Sequence, residues 1–313
     1  MKNRVKTIVT HGANFHADDV FAVAILILLS EKRGESRPRV IRTLAPERYP
    51  ESDYIVDIGA VYNAKKGRFD HHQEGGAGQR TNGVPYSSCG LVWKAYGKEL
   101  VGSSFGAQWV DRHIIQAIDG MDSGMYLYKP VLEDINPFLF QDYISMVCDN
   151  VKRSVSPDKF DKEFMRLVNL VKEVLSISIK NAQDRVLIQK QAESLYHKAQ
   201  DKRVIISDKF IPTRFDDVGA QKNEKPLVFV FPDLRGGWSA KVVPKGSQTY
   251  DTYISFPKKW RGKSGEELEK ITGIIGAKFC HNAGFLLVGK DKETILKLVA
   301  LTFKELKQKP FIY

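Results

Sequence analysis

The 313-residue sequence predicts an α/β protein with two domains. Its length exceeds what one hydrophobic core usually accommodates, which favours two domains. Near the amino terminus, the β-branched residues 5–9 predict a buried strand, and the apolar residues 20–29 predict a buried helix. Residues 10–19 then form the turn between that strand and that helix, which is where open α/β sheets bind ligands.

This turn carries two imidazoles and two carboxylates, from His11, His16, Asp18 and Asp19. One aspartate alone would be explained as a helix N-cap, and one histidine alone as a structural residue. Both histidines together with Asp18 favour a metal site. Imidazole and carboxylate ligands suit manganese, zinc or iron better than calcium.

A second predicted strand also ends in a carboxylate. Residues 39–44 alternate like a strand, and residues 54–58 lead from aromatic and apolar side chains into Asp57. A solvated turn aspartate is the alternative interpretation of Asp57 by itself. The histidine pair that follows in the sequence favours a shared site.

Asp70, His71 and His72 form a triplet after a short predicted strand, and such a triplet is uncommon by chance. Neighbouring side chains on an extended segment point to opposite sides, so the two histidines are predicted to have different roles. We expect His71 to bind metal, His72 to face the substrate, and Asp70 to orient a ligand imidazole. Residues 74–90 predict a flexible, glycine-rich loop over the site, in which Arg80 is expected to be solvated.

A predicted helix at residues 109–118 delivers the last acidic candidates, Asp119 and Asp122, of which only one is expected to bind metal. Residues 136–199 predict a long helical region whose apolar stripe packs in the core. We place the domain boundary near residue 200. The domains are then residues 1–200, a metal-binding catalytic domain with a helical connector, and residues 201–313, a substrate-binding domain.

The second domain is predicted to be a smaller α/β unit. It has predicted strands near residues 203–206, 227–231, 236–243 and 252–256, and predicted helices near residues 264–271 and 292–306. His281 and Gly284 offer an imidazole and a close backbone approach to an anion, with a buried structural histidine as the alternative. Lys241 and Arg261 are candidates for a clamp on phosphate.

The net charge of +11 is unevenly distributed. Residues 201–313 contain 21 Lys and Arg against 13 Asp and Glu, whereas residues 1–200 contain 27 against 24. A basic second half suggests an anionic partner such as nucleic acid, and Trp238, Tyr253 and Trp260 offer aromatic rings for stacking on bases. A merely basic, solvated surface is the alternative.

The cysteines and the amino terminus favour a cytoplasmic protein without a membrane partner. Cys89, Cys148 and Cys280 are far apart and form no CxxC pair, which argues against a zinc knuckle or a disulfide framework. The amino terminus has no signal-peptide core, and the longest apolar run is too short to span a bilayer. The sequence leaves the oligomeric state open, a homodimer included.

Together, these side chains exceed what one zinc ion takes, because zinc usually has three or four protein ligands. They suit two divalent cations about 3.5–4 Å apart that share one carboxylate, which we expect to be Asp57. Such a pair would hold a hydroxide for attack on phosphorus, while His72 contacts the phosphate or protonates the leaving oxygen. The candidate ligands are His11, His16, Asp18, Asp57, His71 and Asp122, with Asp119 as the rival of Asp122.

Four motifs resemble those of the DHH phosphoesterase superfamily: HGANFHADD at residues 11–19, VDIG at 56–59, DHH at 70–72 and DGMDSG at 119–124. Three further segments resemble the melanocyte proliferating gene family within it: NPF at 136–138, WRG at 260–262 and FCHNAGF at 279–285. The similarity covers nearly the whole chain. His16 stands where many members of the superfamily carry aspartate.

The resemblance implies a DHH-type amino-terminal domain with a mainly parallel sheet, a helical connection, a smaller α/β carboxyl-terminal domain and a site in the cleft. It implies the same six metal ligands, with His72 and His281 near the phosphate. It also implies a divalent-metal-dependent phosphoesterase, with Mn²⁺ as the expected cation and Mg²⁺ or another divalent ion as the alternative. The expected activity is a 3′–5′ exonuclease on RNA or short oligonucleotides.

Two other functions remain open from the sequence. A small-phosphate hydrolase, acting on pyrophosphate or a cyclic dinucleotide, would need a dense cationic clamp, which Lys241 and Arg261 would supply. A metal-stabilised nucleic-acid-binding module would need no catalysis at all. Turnover of pyrophosphate against oligonucleotide separates the first alternative from an exonuclease, and the effect of Asp57→Asn on RNA affinity and activity separates the second.

Overall fold

The computed structural model describes residues 4–132, 135–152, 157–212, 224–246 and 251–313. The chain divides into two units, Met1–Val186 and Leu187–Tyr313. Each unit contains one five-stranded sheet among its described residues, together with helices, so the predicted α/β class is confirmed. The catalytic and substrate-binding roles assigned to residues 1–200 and 201–313 stay predictions.

The first sheet is mainly parallel, as predicted. Its strands are β1 (Thr7–His11), β2 (Arg39–Thr43), β3 (Tyr54–Val56), β4 (Tyr62–Asn63) and β5 (Arg68–Phe69). They are arranged in the order β2-β1-β3-β5-β4, and only β4 pairs antiparallel to its neighbour. Parallel strands that end at one edge bring the residues after them together.

The strand register brings three polar residues of the motifs to one edge of this sheet. Thr10 lies opposite Val56, and Val56 lies opposite Phe69. The residues one position further on, which are His11, Asp57 and Asp70, therefore leave the sheet side by side.

Helix α1 (Ala17–Lys32) follows β1 and is apolar on nearly every side. All but one of its residues from Ala17 to Ser30 are buried, as expected of a helix without a polar face. It packs against α2 (Ser88–Val101) and against the sheet. The helix begins three residues before the predicted run, because the carboxylate of Asp19 accepts a hydrogen bond of 2.9 Å from the His16 backbone N–H.

Further helices complete the first unit. They are α3 (Ser104–Val110), a π-helical segment (Asp111–Ile115), α4 (Gln116–Asp122), α5 (Phe140–Lys152) and α6 (Pro157–Lys198), which continues past Val186 into the second unit. Helix α6 contributes buried Phe164, Leu167 and Val171 to the core of the first unit, which confirms the predicted apolar stripe. None of the described helices is both long enough and apolar enough to cross a membrane.

The second unit has a mainly antiparallel sheet. Its strands are β6 (Val204–Ile206), β7 (Val228–Pro232), β8 (Trp238–Val242), β9 (Ala277–Cys280) and β10 (Leu286–Gly289), in the order β6-β7-β8-β10-β9. Helices α7 (Gly265–Thr272) and α8 (Lys292–Glu305) pack on it.

The strand predicted at residues 252–256 is wrong. Among residues 251–256, only Thr252 makes a strand-like bridge, to Pro244. The backbone N–H of Phe256 instead donates to the carbonyl of Gly284, and Pro257 then leads into a single turn of 3-10 helix. Because Pro257 has no backbone N–H, ladder pairing does not continue past Phe256.

Candidate metal centre

Six predicted ligand side chains converge at the carboxyl edge of the first sheet. They form two groups, and within each group the donor atoms lie within 4.8 Å of one another. The first group is His11, His16 and Asp57, and the second is Asp18, His71 and Asp122. Residues far apart in the sequence thus come to one place because strand ends and helix ends meet there.

The first group is centred on the Nε2 atom of His11. This atom lies 3.2 Å from Oδ2 of Asp57 and 3.1 Å from Oδ2 of Asp19. The ring of His16 lies on the outer side, with its centroid 5.5 Å from that of His11. Asp19 is not among the ligands predicted from the sequence, yet its Oδ2 atom faces this group.

The second group is centred on the Nε2 atom of His71. This atom lies 3.3 Å from Oδ2 of Asp122, 3.5 Å from Oδ1 of Asp57 and 3.8 Å from Oδ2 of Asp18. The two oxygens of Asp57 therefore face different groups. A single carboxylate stands between them, which is the geometry expected of a bridging ligand.

Three of these atoms lie within ion-pair distance of opposite charges but are buried and make no hydrogen bond among the described residues: Nε2 of His11, Nε2 of His71 and Oδ2 of Asp19. Buried polar atoms normally have a partner, so this group of orphans needs an explanation. Around one ion with bonds of about 2.1 Å, neighbouring donor atoms stand roughly 3.0–3.5 Å apart. Most of the distances in the two groups fall in or close to that range, so the residues fit bound divalent cations.

Asp57 owes its orientation to an uncommon backbone conformation. Its φ of 55° lies in the left-handed region, which aspartate tolerates better than most residues. Its N–H donates to the carbonyl of Phe69 at 3.0 Å, which fixes the turn after β3. Strained backbone of this kind tends to concentrate at functional sites.

The opposite charges in the site perturb one another strongly. Burial alone would lower the pKa of His11, but the contacts with Asp19 and Asp57 raise this pKa to about 11. Burial alone would raise the pKa of Asp57, but the contacts with His11 and His71 hold it well below its usual range. Without cations, the imidazole of His11 therefore keeps its proton.

The remaining acidic groups are crowded. Burial and repulsion from Asp57 and Asp122 raise the pKa of Asp18, and burial and repulsion from Asp57 raise the pKa of Asp122. Like charges in a buried space favour protonation unless a cation neutralises them. The electrostatics and the donor geometry therefore point to the same kind of ligand.

The prediction that His71 and His72 point to opposite sides is wrong. Their ring centroids lie only 4.3 Å apart, and both rings line the same cavity. Strand β5 ends at Phe69, and Oδ1 of Asp70 then accepts both backbone N–H groups, at 2.7 and 3.2 Å, which turns the chain. Alternation applies only while the backbone stays extended.

The two histidines still differ in exposure. The side chain of His71 is 15% exposed and that of His72 is 61% exposed. Asp70 orients His72 and not the imidazole in the second donor group, since its Oδ1 lies 2.7 Å from Nδ1 of His72. The more exposed histidine is thus the one that Asp70 holds.

Asp119 and Asp122 occupy different environments. Asp122 lines the cavity beside His71, whereas Asp119 is fully buried and forms an ion pair of 2.7 Å with Arg80. Burial raises the pKa of Asp119 to about 6, although Arg80 and Ser87 act in the opposite direction. The prediction that Arg80 is solvated is wrong, because this residue is only 9% exposed and also pairs with Asp111.

The cavity over the site has a volume of about 650 Å³. It is lined by residues of both donor groups and by Met121, Ser123 and Gln141, none of which was predicted as a site residue. Gln141 places a buried amide oxygen there without a partner among the described residues. Gln141 lies in the first turn of α5, and no motif in the sequence around it marks it as a site residue.

In the second unit, three of the four predicted substrate-binding residues lie together. The turn between β9 and β10 holds His281 and Gly284, and the guanidinium of Arg261 lies so close to Gly284 that a Cβ there would meet its Nε at 2.5 Å. Gly284 has a φ of +71°, so it is needed for both backbone and space. Lys241 lies in β8, opposite Leu286.

The predicted aromatic surface of this unit needs a correction. Trp260 is fully buried, and Trp238 is partly covered by the ammonium group of Lys292, 5.3 Å from its ring centroid. Tyr253 is 40% exposed, and Phe279, beside His281, is 36% exposed. Of the three predicted stacking residues, Tyr253 alone is exposed, and Phe279 is an exposed ring beside His281 that the prediction did not include.

A family model agrees with this arrangement of residues along the chain. The model MYG1_exonuc, described as an uncharacterised protein family (UPF0160), matches residues 7–303. This match spans both units.

Curated relatives match over nearly the same length. The MYG1 protein of Dictyostelium discoideum is 28% identical over 325 residues, covering 96% of this chain and 97% of that protein. The MYG1 protein of Saccharomyces cerevisiae is also 28% identical, covering 95% of each chain. The MYG1 exonuclease of Homo sapiens is 24% identical, covering 95% of this chain and 85% of the human protein.

Solved structures show more distant similarity. RecJ from Thermus thermophilus, in complex with Mn²⁺, has a TM-score of 0.28 and 12% identity, covering 98% of this chain and 53% of the RecJ chain. A pGpG-specific phosphodiesterase, PggH, from Vibrio cholerae has a TM-score of 0.30 and 14% identity, covering 97% and 99%. The fold of the present chain therefore rests on its own strand order.

Proposed function

The chain belongs to the MYG1_exonuc family, and on that premise we propose that it is a divalent-metal-dependent 3′–5′ exonuclease acting on RNA or short oligonucleotides. Membership confirms the family predicted from the sequence motifs, and it makes the chain a hydrolase of the exonuclease class. The substrate, the cleavage polarity, Mn²⁺ as the native ion and the number of ions are parts of the proposal.

One observation carries the proposal: the two oxygens of Asp57 face two separate donor groups across a cavity open to substrate. In the proposal, His11, His16 and Asp57 hold one cation. Asp18, Asp57, His71 and Asp122 hold the other. Two bound cations activate a water nucleophile and neutralise charge on the phosphoryl group.

His72 has the geometry of a residue that handles a proton or a phosphate oxygen. A carboxylate only accepts hydrogen bonds, so Asp70 requires that Nδ1 of His72 carry the hydrogen. The other ring nitrogen, Nε2, is then fixed in direction toward the exposed side. We assign His72 to contact with the phosphate or to protonation of the leaving oxygen, and both roles use the imidazolium form, in which Nε2 carries a second hydrogen and Asp70 balances the charge.

In the second unit, Arg261 and His281 support binding of an anionic chain. Nε of Arg261 donates to the carbonyl of Phe256 at 2.9 Å, which fixes the guanidinium and leaves its Nη atoms for a phosphate. Nδ1 of His281 accepts the N–H of Ala283 at 3.1 Å, so its Nε2 is the donor. Lys241 adds positive charge, and exposed Phe279 offers a ring on which a base stacks.

RNA labelled at its 3′ or 5′ end tests the proposal. With Mn²⁺ present, we expect mononucleotides to be released from the 3′ end and a shortening ladder from 5′-labelled RNA. Pyrophosphate and a cyclic dinucleotide serve as competing substrates. Faster turnover of either one, or no release by protein that retains bound metal, contradicts the proposal.

The proposal includes a cytoplasmic location. Cys89, Cys148 and Cys280 are all buried free thiols, which supports a reducing compartment. Fractionation of cells, with the chain detected by antibody, tests this part. Recovery of the chain from an oxidising compartment contradicts it.

A further inference from the structure

Arg80 lies in a glycine-rich segment but is held as tightly as a core residue. Its Nε and Nη2 donate to the carboxylate of Asp111 at 2.9 and 2.6 Å. Its Nη1 donates to the carbonyl of Pro85 at 3.2 Å and pairs with Oδ2 of Asp119 at 2.7 Å. The guanidinium therefore connects this segment to a buried carboxylate that faces away from the cavity.

Asp119 passes this connection on to the amino-terminal end of α2. Its Oδ1 accepts a hydrogen bond of 2.5 Å from the hydroxyl of Ser87 and one of 2.9 Å from the N–H of Gly90. A Cβ at position 90 would lie 1.9 Å from Oδ2 of Asp119, so only glycine lets the carboxylate approach the helix this closely.

The same end of α2 holds Asp18. The hydroxyl of Ser87 also contacts Oδ1 of Asp18, and the N–H groups of Cys89 and Ser88 donate to its two oxygens at 2.6 and 3.0 Å. Oδ2 of Asp18 then faces His71 in the second donor group. The direction of this carboxylate is therefore set by where the first turn of α2 lies.

From these contacts we propose that Arg80, Asp119 and Ser87 are positioning residues for the cation held by Asp18, His71 and Asp122. Among the described residues, the contacts of Arg80 and Asp119 do not reach His11, His16 or Asp57. The first turn of α2 reaches Asp57 through the Ser88 hydroxyl, 3.3 Å from Oδ1, and this is the oxygen that faces His71 in the second donor group. The array thus acts on one of the two donor groups. This inference rests on the metal centre of the proposed function, but it does not depend on the identity of the substrate.

Titration of the full chain with Mn²⁺ alone, without substrate, tests the inference. The unsubstituted protein is expected to bind two ions, with the magnetically coupled paramagnetic resonance signal of a neighbouring pair. Arg80→Gln is expected to lower the affinity for the ion held by Asp18, His71 and Asp122 by about 10–100-fold, the range seen when partners of metal ligands are removed. The other ion is expected to stay, with the signal of isolated Mn²⁺.

Two further variants sharpen the measurement. Arg80→Lys keeps the positive charge but loses the fork that joins Asp111 to Asp119, so we expect an intermediate loss of the same ion. Arg68→Gln is the matched control, because Arg68 is a half-buried arginine of the same unit that donates only to backbone carbonyls. It is expected to leave both ions bound.

If Arg80→Gln does not fold, Ser87→Ala replaces it, because this change removes one hydroxyl and leaves the ion pair between Arg80 and Asp119 intact. Its expected effect is a weaker but equally selective loss. An equal loss of affinity for both ions, or no loss of affinity, overturns the inference and leaves the proposed function standing. An unsubstituted protein that binds fewer than two Mn²⁺ ions overturns the inference together with the two-cation part of the proposed function.

Discussion

The two units of the chain present their candidate functional side chains in opposite ways. In Met1–Val186, Asp18 and Asp57 are buried. Backbone N–H groups at the start of α2 hold the oxygens of Asp18, and the turn after β3 together with the Ser88 hydroxyl places those of Asp57. In Leu187–Tyr313, His281 and Arg261 lie half-buried at a surface turn, each with one anchoring hydrogen bond. The first arrangement is rigid and highly charged, and the second is open.

This difference matches what the two kinds of ligand require. A small cation needs several donor atoms at fixed distances, so its ligands must be held before it binds. A flexible anionic chain is bound by fewer, exposed donors that adapt to its path. We therefore expect substitutions in the first unit to affect catalysis and metal binding, and substitutions in the second to affect substrate binding.

The largest expected effect is that of Asp57→Asn. Removing the charge shared by both donor groups should lower the rate of nucleotide release by more than about 100-fold, the upper range for loss of an outer partner of a metal ligand. Rates with Mn²⁺ on end-labelled RNA measure it. Asp53→Asn is the matched control, because Asp53 lies before β3 and pairs with Arg4, away from the site. Similar losses in both variants would argue against the proposed bridge.

Saturating Mn²⁺ should protect the first unit and not the second. At a concentration 100-fold above its dissociation constant, one ion bound only to the folded state stabilises by about 2.7 kcal/mol. Hydrogen exchange with and without chelator measures this for β1 and α1 against β7 and β8. Equal protection of both sheets would show that the two units are not distinguished by metal.

Mn²⁺ affinity should rise with pH. Contacts with carboxylates raise the pKa of His11 to about 11, so this imidazole holds a proton near neutral pH, and they also raise the pKa of His71 above its usual value. A cation binds only the deprotonated nitrogen, so each bound ion expels protons, and affinity gains about tenfold per pH unit for each proton released. Calorimetry in buffers with different ionisation enthalpies counts the protons. Affinity that falls with rising pH contradicts the assignment.

The smallest effect is expected from Arg261→Lys in the second unit. The change keeps the charge but removes the fixed fork, which should cost about 1 kcal/mol, or roughly fivefold in KM, with kcat unchanged. Kinetics on short RNA measure the two constants separately. Lys259→Arg is the control, since Lys259 is a neighbour of Arg261 in the sequence but pairs with Glu305. A fall in kcat alone would move Arg261 into the catalytic step.

The positions of the metal-site candidates were predictable because they follow from strand ends. His11 and Asp57 come directly after strands that the apolar pattern reveals, and parallel pairing brings the ends of such strands together. The register itself was not predictable, because it depends on pairings between β1, β3 and β5. Their roles as ligands stay a proposal.

The errors at Arg80 and Trp260 share one physical cause, which is that long-range partners leave no local signal. Arg80 is surrounded in sequence by glycine and polar residues, yet Asp111 and Asp119 bury it. Trp260 follows two lysines, yet the core of the second unit encloses it. His71 and His72 share a cavity because of one aspartate that bends the backbone, which alternation rules do not include.

Gly90 shows how such a centre can fail with every donor intact. A single methyl group at this position would occupy the space of the Asp119 carboxylate. The helix end would then have to shift, and Asp18 would shift with it. A natural variant with alanine here would keep all the signature motifs and still be expected to lose a cation. Counting the motifs alone would therefore overestimate the number of active proteins among distant relatives. Glycine at position 90, which lies outside the motifs, would help to identify those that bind both cations.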